Sequence, residues 1–185
     1  MKNAVASTIA AAVSLALAGS SVAAGSAKPE TRNRAEIPAE YRWDFAPIYP
    51  HWEAWEVAMK ELDLQIDALA KLQGSFKKGP AAVLKYYQMS DEVGKLLERT
   101  HAYPRLQRDV DTRNQEISGK YQRVNTLVAK LGTATSWATP ELLAIPEATM
   151  KKWIAQTPAL KVYSFPILDS YRQQKHVLDE KGERL

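Results

Sequence analysis

The stretch HWEAWEVAMKELDLQIDALAKL, residues 51–72, decides the fold. Its large apolar residues recur at alternating steps of three and four, which places them on one face of an α-helix. Pro50 fits a first helical turn, where its missing N–H costs nothing. The pattern therefore predicts a helix from Pro50 to Gln73 whose apolar stripe, tryptophans included, belongs to the core. The stripe consists of Trp52, Trp55, Met59, Leu62, Ile66 and Leu69.

A second helix is predicted to start at Gly79-Pro80, because proline is well suited to the first helical turn. Gly94 in its middle is expected to mark the close approach of a neighbouring helix. Pro104 is expected to end or kink the helix near Tyr103, since an interior proline costs about 3 kcal/mol. The residues predicted to point inward are Val83, Leu84, Tyr87, Val93, Leu96 and Leu97.

A third helix is predicted to open at Thr112, with Thr112 and Gln115 forming a capping box. Asp109 and Asp111 would then lie favourably near the positive end of its dipole. The helix is expected to run to Trp137 or Ala138. Its apolar stripe has the same three-and-four spacing and consists of Ile117, Tyr121, Val124, Val128 and Leu131.

The remainder of the chain contains three proline-initiated units. They begin at Thr139-Pro140-Glu141, at Ile145-Pro146-Glu147 and at Thr157-Pro158. No stretch alternates with the period of a strand for more than a few residues. The predicted fold class is therefore all-α, with long antiparallel helices in a bundle or hairpin, followed by shorter helices that start at prolines.

Composition excludes several classes of protein. The 185 residues carry a net charge of +4, and the longest uninterrupted basic runs are the pairs Lys77-Lys78 and Lys151-Lys152. A nucleic-acid-binding protein needs basic residues gathered on one face, so no nucleic-acid partner is expected. There is no cysteine, which excludes a disulfide framework, a thiolate metal site and a lipid anchor on a cysteine.

The N-terminal segment has the features of an export signal. Lys2 precedes an apolar run from Ala4 to Ala18, and small residues lead to a cleavage site after Ala24. Residues 1–24 are therefore predicted to be a signal peptide, and the mature protein to be periplasmic or secreted with no membrane association. A buried N-terminal helix is the alternative. Residues 25–42 contain proline, glycine and charged residues without any periodic pattern, and they are interpreted as a linker or surface arm.

Few residues could carry chemistry. The histidines are His51, His101 and His176, and they do not form the His-Glu-x-x-His motif of metalloproteases. Glu98-x-x-His101 has the spacing of a di-iron element but occurs once, whereas such sites need it twice. Asp109 with Asp111, and His176 with Asp179 and Glu180, are better explained as capping or surface residues. No catalytic, cofactor-binding or metal-ligating residue is assigned.

Five segments, taken in order, resemble the N-terminal region of oligoendopeptidase F, a zinc endopeptidase family related to thimet oligopeptidase. They are WDFAPIYPHWEAWE (43–56), HAYPRLQRDVDTRN (101–114), KYQRV (120–124), SWATPELLAIP (136–146) and LKVYSFPILDSYRQQKHVLDEKGERL (160–185). Two positions depart from the family pattern. Pro104 stands where the family more usually has a helix-compatible residue, and Asp179 stands where it often has serine.

The resemblance implies that residues 43–185 are a helical domain truncated before the zinc-binding domain. The family's zinc ligands lie in later residues, so zinc would belong to the parent enzyme and not to this chain. The implied role is to line the channel that admits oligopeptide substrates, facing the missing catalytic domain. The expected function is thus that of the N-terminal part of an exported zinc metalloendopeptidase, with the chain alone inactive.

Two alternatives stay open at this point. One is a complete, non-enzymatic periplasmic helical protein that binds a partner, which predicts no large exposed apolar patch. The other is a partner-binding bundle unrelated to peptidases, in which the tryptophan-rich stripe would be an interface. A truncated enzyme domain predicts instead an unpaired apolar face where the catalytic half docks.

Overall fold

The computed structural model describes residues 36–174. The chain divides into two units, Met1–Trp43 and Asp44–Leu185. In the first, the described residues contain one 3₁₀ turn at Ala39–Tyr41. The predicted signal peptide and most of the predicted linker lie outside the described residues. None of the helices within 36–174 combines the length and apolar character needed to cross a membrane.

The described part of the second unit is helical, which confirms the all-α prediction, and contains no strand. The α-helices alternate with short connections, two of which contain 3₁₀ helices at Phe76–Lys78 and Pro158–Tyr163. The α-helices are α1 (Trp52–Ala70), α2 (Pro80–Val110), α3 (Gln115–Thr135), α4 (Ala138–Leu143), α5 (Glu147–Gln156) and α6 (Ser164–Gln173).

Helix α1 begins two residues later than predicted. His51, and not Pro50, marks its start, because the His51 Nδ1 accepts a hydrogen bond from the Ala54 N–H at 3.2 Å. Such a side-chain acceptor satisfies one of the free N–H groups of a first turn. The helix ends at Ala70, three residues before the predicted end.

Helices α1, α2 and α3 pack against one another along the predicted stripes. All six α1 stripe residues contribute: Trp52 is half-buried and the other five are buried. The prediction fails for Val128, whose side chain is 42% exposed, and Leu127 packs against the core in its place. The inward residues predicted for α2 are confirmed, with Val83 and Val93 fully enclosed.

The shorter helices form a second packing layer against the N-terminal half of α2. Their core cluster joins Phe76 and Val83 to apolar residues of α4, α5 and α6. The prolines start these units only approximately as predicted. Pro140 is the third residue of α4, Pro146 is the N-cap of α5, and Pro158 opens a 3₁₀ helix instead of an α-helix.

Pro104 was expected to end or kink α2. The ending is wrong, because α2 continues through Pro104 to Val110, and the kink stays a prediction. A proline at position 104 cannot donate to the carbonyl of Thr100, four residues earlier. In this fold the indole Nε1–H of Trp55 donates to that carbonyl at 2.8 Å. The hydrogen bond that proline removes from the helix is thus replaced by one from α1.

The start of α3 also differs from the prediction. Asn114, not Thr112, is the N-cap, and its Oδ1 accepts a hydrogen bond from the Ile117 N–H at 3.1 Å. Asn is at least as good an N-cap as Thr, so Asn114, which directly precedes the first residue of α3, is the N-cap. The helix ends at Thr135, and Trp137 and Ala138 belong to the start of α4.

Gly94 is not a point of close helix approach. A Cβ added there would meet no atom within 4 Å, and the residue is exposed. The prediction from sequence was wrong because an interior glycine signals only the absence of a side chain, not the reason for it.

Replacing Gly94 with alanine is expected to raise the free energy of unfolding by about 1 kcal/mol, since alanine is the better helix former and no contact opposes it. Gly79→Ala is the matched control. Gly79 has φ +120°, a conformation that L residues rarely adopt, so this change is expected to destabilise. Urea unfolding of both variants measures the difference. Destabilisation by Gly94→Ala would contradict the open space seen around this glycine.

Candidate functional site

The two described histidines, His51 and His101, are in structural positions. His51 caps α1, as described above. The ring of His101 lies against the ring of Tyr121, with centroids 5.2 Å apart. His176, Asp179 and Glu180 lie outside the described residues. Within residues 36–174, no three His, Asp or Glu side chains lie close enough together to hold a metal ion.

Asp109 and Asp111 do not form a pair for acid–base chemistry. The Asp111 carboxylate accepts hydrogen bonds from the Arg113 side chain at 2.9 and 3.1 Å and from the Arg113 N–H at 3.1 Å. These bonds lower the pKa of Asp111, which makes it a poor proton donor at neutral pH. Asp109 faces Arg105 at 3.9 Å within the last turns of α2. Asp109 therefore lies in the last turn of α2 and Asp111 is its C-cap.

Charged residues between α1 and α3 are paired with each other. Arg123 donates two hydrogen bonds of 2.6 Å to the Glu56 carboxylate, which lower the pKa of Glu56. Lys130 contacts both Asp63 and Asp67 at 2.6 Å. These pairs link α3 to α1.

Glu141 of α4 holds the connection between α1 and α2. Its carboxylate accepts hydrogen bonds from the Gly74 N–H at 2.7 Å and from the Phe76 N–H at 2.6 Å. Gly74 adopts φ +80°, the left-handed conformation that turns the chain here. Beside this contact lies an open cleft of about 610 Å³. Its lining residues are Gln73, Gly74, Lys77, Trp137, Pro140, Glu141, Ala144 and Ile145.

Two tyrosine hydroxyls hold the shorter helices in place, that of Tyr163 against α2 and that of Tyr171 against the end of α4. The Tyr163 hydroxyl donates to the Asp91 carboxylate of α2 at 2.6 Å, and the Tyr163 ring stacks on Tyr87 at 5.1 Å. The Tyr171 hydroxyl lies 2.9 and 2.8 Å from the carbonyl oxygens of Leu142 and Ile145. Burial raises the pKa of Tyr171 to about 12, so it remains a neutral donor.

An apolar surface lies on one side of α6. Val162 and Phe165 are each 79% exposed. Beside them is an open cleft of about 350 Å³ lined by Ser164, Phe165, Leu168, Asp169 and Arg172. The last two form an ion pair at 2.6 Å. We call Val162, Phe165, Leu168, Asp169 and Arg172 the α6 outer face.

The sequence did not single out Glu141, Tyr163, Tyr171 or the α6 outer face. Their partners lie far away in sequence, so no local spacing indicates the contacts. The one available signal was on α6, where Phe165 falls on the helix face opposite the buried Ile167.

Comparison with known proteins is consistent with the resemblance seen in the five segments. The family model described as Oligopeptidase F matches residues 141–185. Oligopeptidase PepF of Bacillus subtilis (strain 168) is 29% identical over 153 residues, which are 83% of this chain and 23% of that protein. An oligoendopeptidase F homologue of Borreliella burgdorferi is 26% identical over 156 residues, 83% of this chain and 26% of that protein.

Solved structures share the fold. Oligoendopeptidase-F from Enterococcus faecium superposes with a TM-score of 0.62 at 25% identity, over 72% of this chain and 26% of that one. A putative peptidase from Chlamydophila abortus superposes with a TM-score of 0.71 at 23% identity, over 82% of this chain and 26% of that one, and shows the fold alone. This chain spans about a quarter of the length of the curated relatives it matches. The resemblance of this chain to the N-terminal region of oligoendopeptidase F is therefore confirmed.

Proposed function

We propose that this chain is the N-terminal part of an exported zinc endopeptidase that hydrolyses oligopeptides. The observation that carries the proposal is the match over 83% of the chain to proteins named oligopeptidase or oligoendopeptidase F. Export is supported by the predicted signal peptide at residues 1–24. The oligopeptide substrates are inferred from the names of the relatives.

Zinc does not fit the described residues, because residues 36–174 contain no suitable cluster of ligands. The proposal therefore assigns the metal and the bond-breaking chemistry to other parts of the full-length protein. The part left to these helices is to restrict access, as a wall of the substrate channel. The paired charges and packed apolar stripes of α1 and α3 support that role.

The alternative is a non-enzymatic periplasmic helical protein. That alternative predicts no large exposed apolar patch, because a complete soluble protein rarely leaves one without function. Val162 and Phe165, each 79% exposed, favour a chain that lacks its partner surface over one that is complete by itself.

The full-length gene product is expected to cleave a fluorogenic oligopeptide, and a chelator is expected to reduce the rate to background until zinc is restored. The 185-residue chain, assayed beside it, is expected to cleave nothing and to bind no stoichiometric zinc by elemental analysis. A full-length protein without chelator-sensitive cleavage would contradict the proposed activity. One tightly bound zinc per 185-residue chain would contradict the assignment of the metal to the other part.

A further inference from the structure

On the α6 outer face, apolar side chains that a folded protein normally buries are exposed to water. Burying a phenylalanine or valine side chain fully stabilises a protein by about 1.5–3 kcal/mol. Val162 and Phe165 obtain almost none of this stabilisation, because both side chains are exposed. They lie three residues apart at the junction of the 3₁₀ helix and α6. Side chains at that spacing are neighbours.

The interior of the described unit does not use Val162 or Phe165. The buried side of α6 is formed by Ile167, and Tyr171 reaches the end of α4 from the same helix. Phe165 and Val162 are absent from the core clusters, whereas Leu168 is half-buried, packs against the core cluster of the shorter helices and also lines the cleft. Val162 and Phe165 are therefore left uncovered by residues 36–174.

Helix α1 offers the other exposed apolar pair, Val57 and Leu64, at 68% and 65% exposure. These residues are separated by seven positions, or about 10 Å along the helix, whereas Val162 and Phe165 are three residues apart and Phe165 lines a cleft. The α6 outer face also lies within residues 141–185, the segment that the family model matches, whereas Val57 and Leu64 do not. These differences favour the α6 outer face as the docking surface.

The relatives indicate what could cover it. The region they share with this chain is 23–26% of their length, at their N-terminal end. Helix α6 ends at Gln173, twelve residues before residue 185. Twelve residues span about 18 Å as a helix and about 40 Å when extended, so polypeptide following residue 185 can reach the α6 outer face.

We propose that the α6 outer face docks onto polypeptide that follows residue 185 in the full-length protein. This inference rests on the proposed function, in which that polypeptide is the catalytic part. Its docking surface is apolar where it covers Val162 and Phe165, and polar where it meets the Asp169–Arg172 ion pair. Docking there holds the helical part in a fixed position relative to the catalytic part.

Because the chain contains no cysteine, single thiols can report on each surface. Phe165→Cys and Val162→Cys are the test variants, and Leu64→Cys and Val57→Cys are the matched controls with similar exposure. Each is made in the 185-residue chain and in the full-length gene product, with any later cysteines changed to serine. The measurement is the rate of labelling by a maleimide, with circular dichroism to check folding.

All four positions are expected to label at similar rates in the 185-residue chain. In the full-length protein, positions 165 and 162 are expected to label at least about tenfold more slowly, because burial restricts the reagent to transient openings. Positions 64 and 57 are expected to keep their rates. Equal labelling at 165 and 162 in both proteins would overturn the proposal, as would a gene that encodes nothing after Leu185.

Other occupants give other results. Slow labelling at 165 in the 185-residue chain that speeds up on dilution would identify a second copy and overturn the proposal. The docking surface and the proposed function can fail separately. A full-length protein that cleaves peptides while position 165 labels freely retains the function and loses the docking surface. Protection at position 165 in a full-length protein without peptidase activity retains the docking surface and loses the proposed function.

Discussion

Replacing Trp55 with alanine is expected to lower the free energy of unfolding by about 3–5 kcal/mol, because large-to-small changes in a core remove buried area and leave a cavity. Trp55 is fully buried between α1 and α2, with its ring edge-on to Trp52 at a centroid distance of 5.3 Å. The change also removes the donor to the Thr100 carbonyl. Urea unfolding followed by circular dichroism measures the loss. A loss below about 1 kcal/mol would remove Trp55 from the core.

The hydrogen bond can be separated from the packing by a double-mutant cycle. Trp55→Phe keeps an aromatic ring but leaves the buried Thr100 carbonyl without its donor, at a cost of about 1–3 kcal/mol. Pro104→Ala supplies a backbone N–H for the same carbonyl. Trp55→Phe is therefore expected to cost at least about 1 kcal/mol less when Pro104 is alanine. Trp52→Phe is the control, because its indole takes no part in the Thr100 contact. Additive effects of Trp55→Phe and Pro104→Ala would contradict the exchange of donors.

The long helices could be predicted from sequence because their signal is local. The stripe from Trp55 to Leu69 repeats with the period of the helix, and burying one face of α1 is enough to explain it. The start of α2 is local in the same way, since Pro80 and the positive φ of Gly79 mark it. The resemblance to oligoendopeptidase F also came from short segments in order.

The continuation of α2 through Pro104 could not be predicted in this way. The sequence shows the missing donor at position 104, but its replacement comes from Trp55, which is 45 residues from Thr100. The same holds for Glu141, whose partners Gly74 and Phe76 are 67 and 65 residues away. At the start of α3, Thr112 and Asn114 are both of residue types that cap helices, and only the backbone geometry selects Asn114. The exposure of Phe165 likewise depends on which neighbours fold against α6.

Replacing Glu141 with alanine is expected to lower the free energy of unfolding by about 2–4 kcal/mol. A hydrogen bond to a charged group contributes about 1.5–3 kcal/mol, and the bond from the exposed Gly74 N–H is expected to contribute less than this. The carboxylate accepts from the Gly74 and Phe76 N–H groups. Phe76 is buried in the core cluster of the shorter helices, with its ring 5.2 Å from that of Trp137. Losing both bonds frees the connection between α1 and α2 and loosens Phe76 in that cluster. Urea unfolding measures the change in stability.

Glu141→Gln and Glu147→Ala separate this contact from general charge effects. Glutamine keeps one carbonyl oxygen and can accept from one of the two N–H groups, so its cost is expected to be about half that of alanine. Glu147 also lies in the first turn of a helix, but its partner is Lys151 in an exposed pair at 2.7 Å. Such pairs contribute about 0–1 kcal/mol, so Glu147→Ala is expected to change little. If Glu141→Ala cost no more than Glu147→Ala, the two backbone hydrogen bonds would not hold the α1–α2 connection in solution. Hydrogen exchange at the Gly74 and Phe76 amides would then be as fast in the wild type as in the variant.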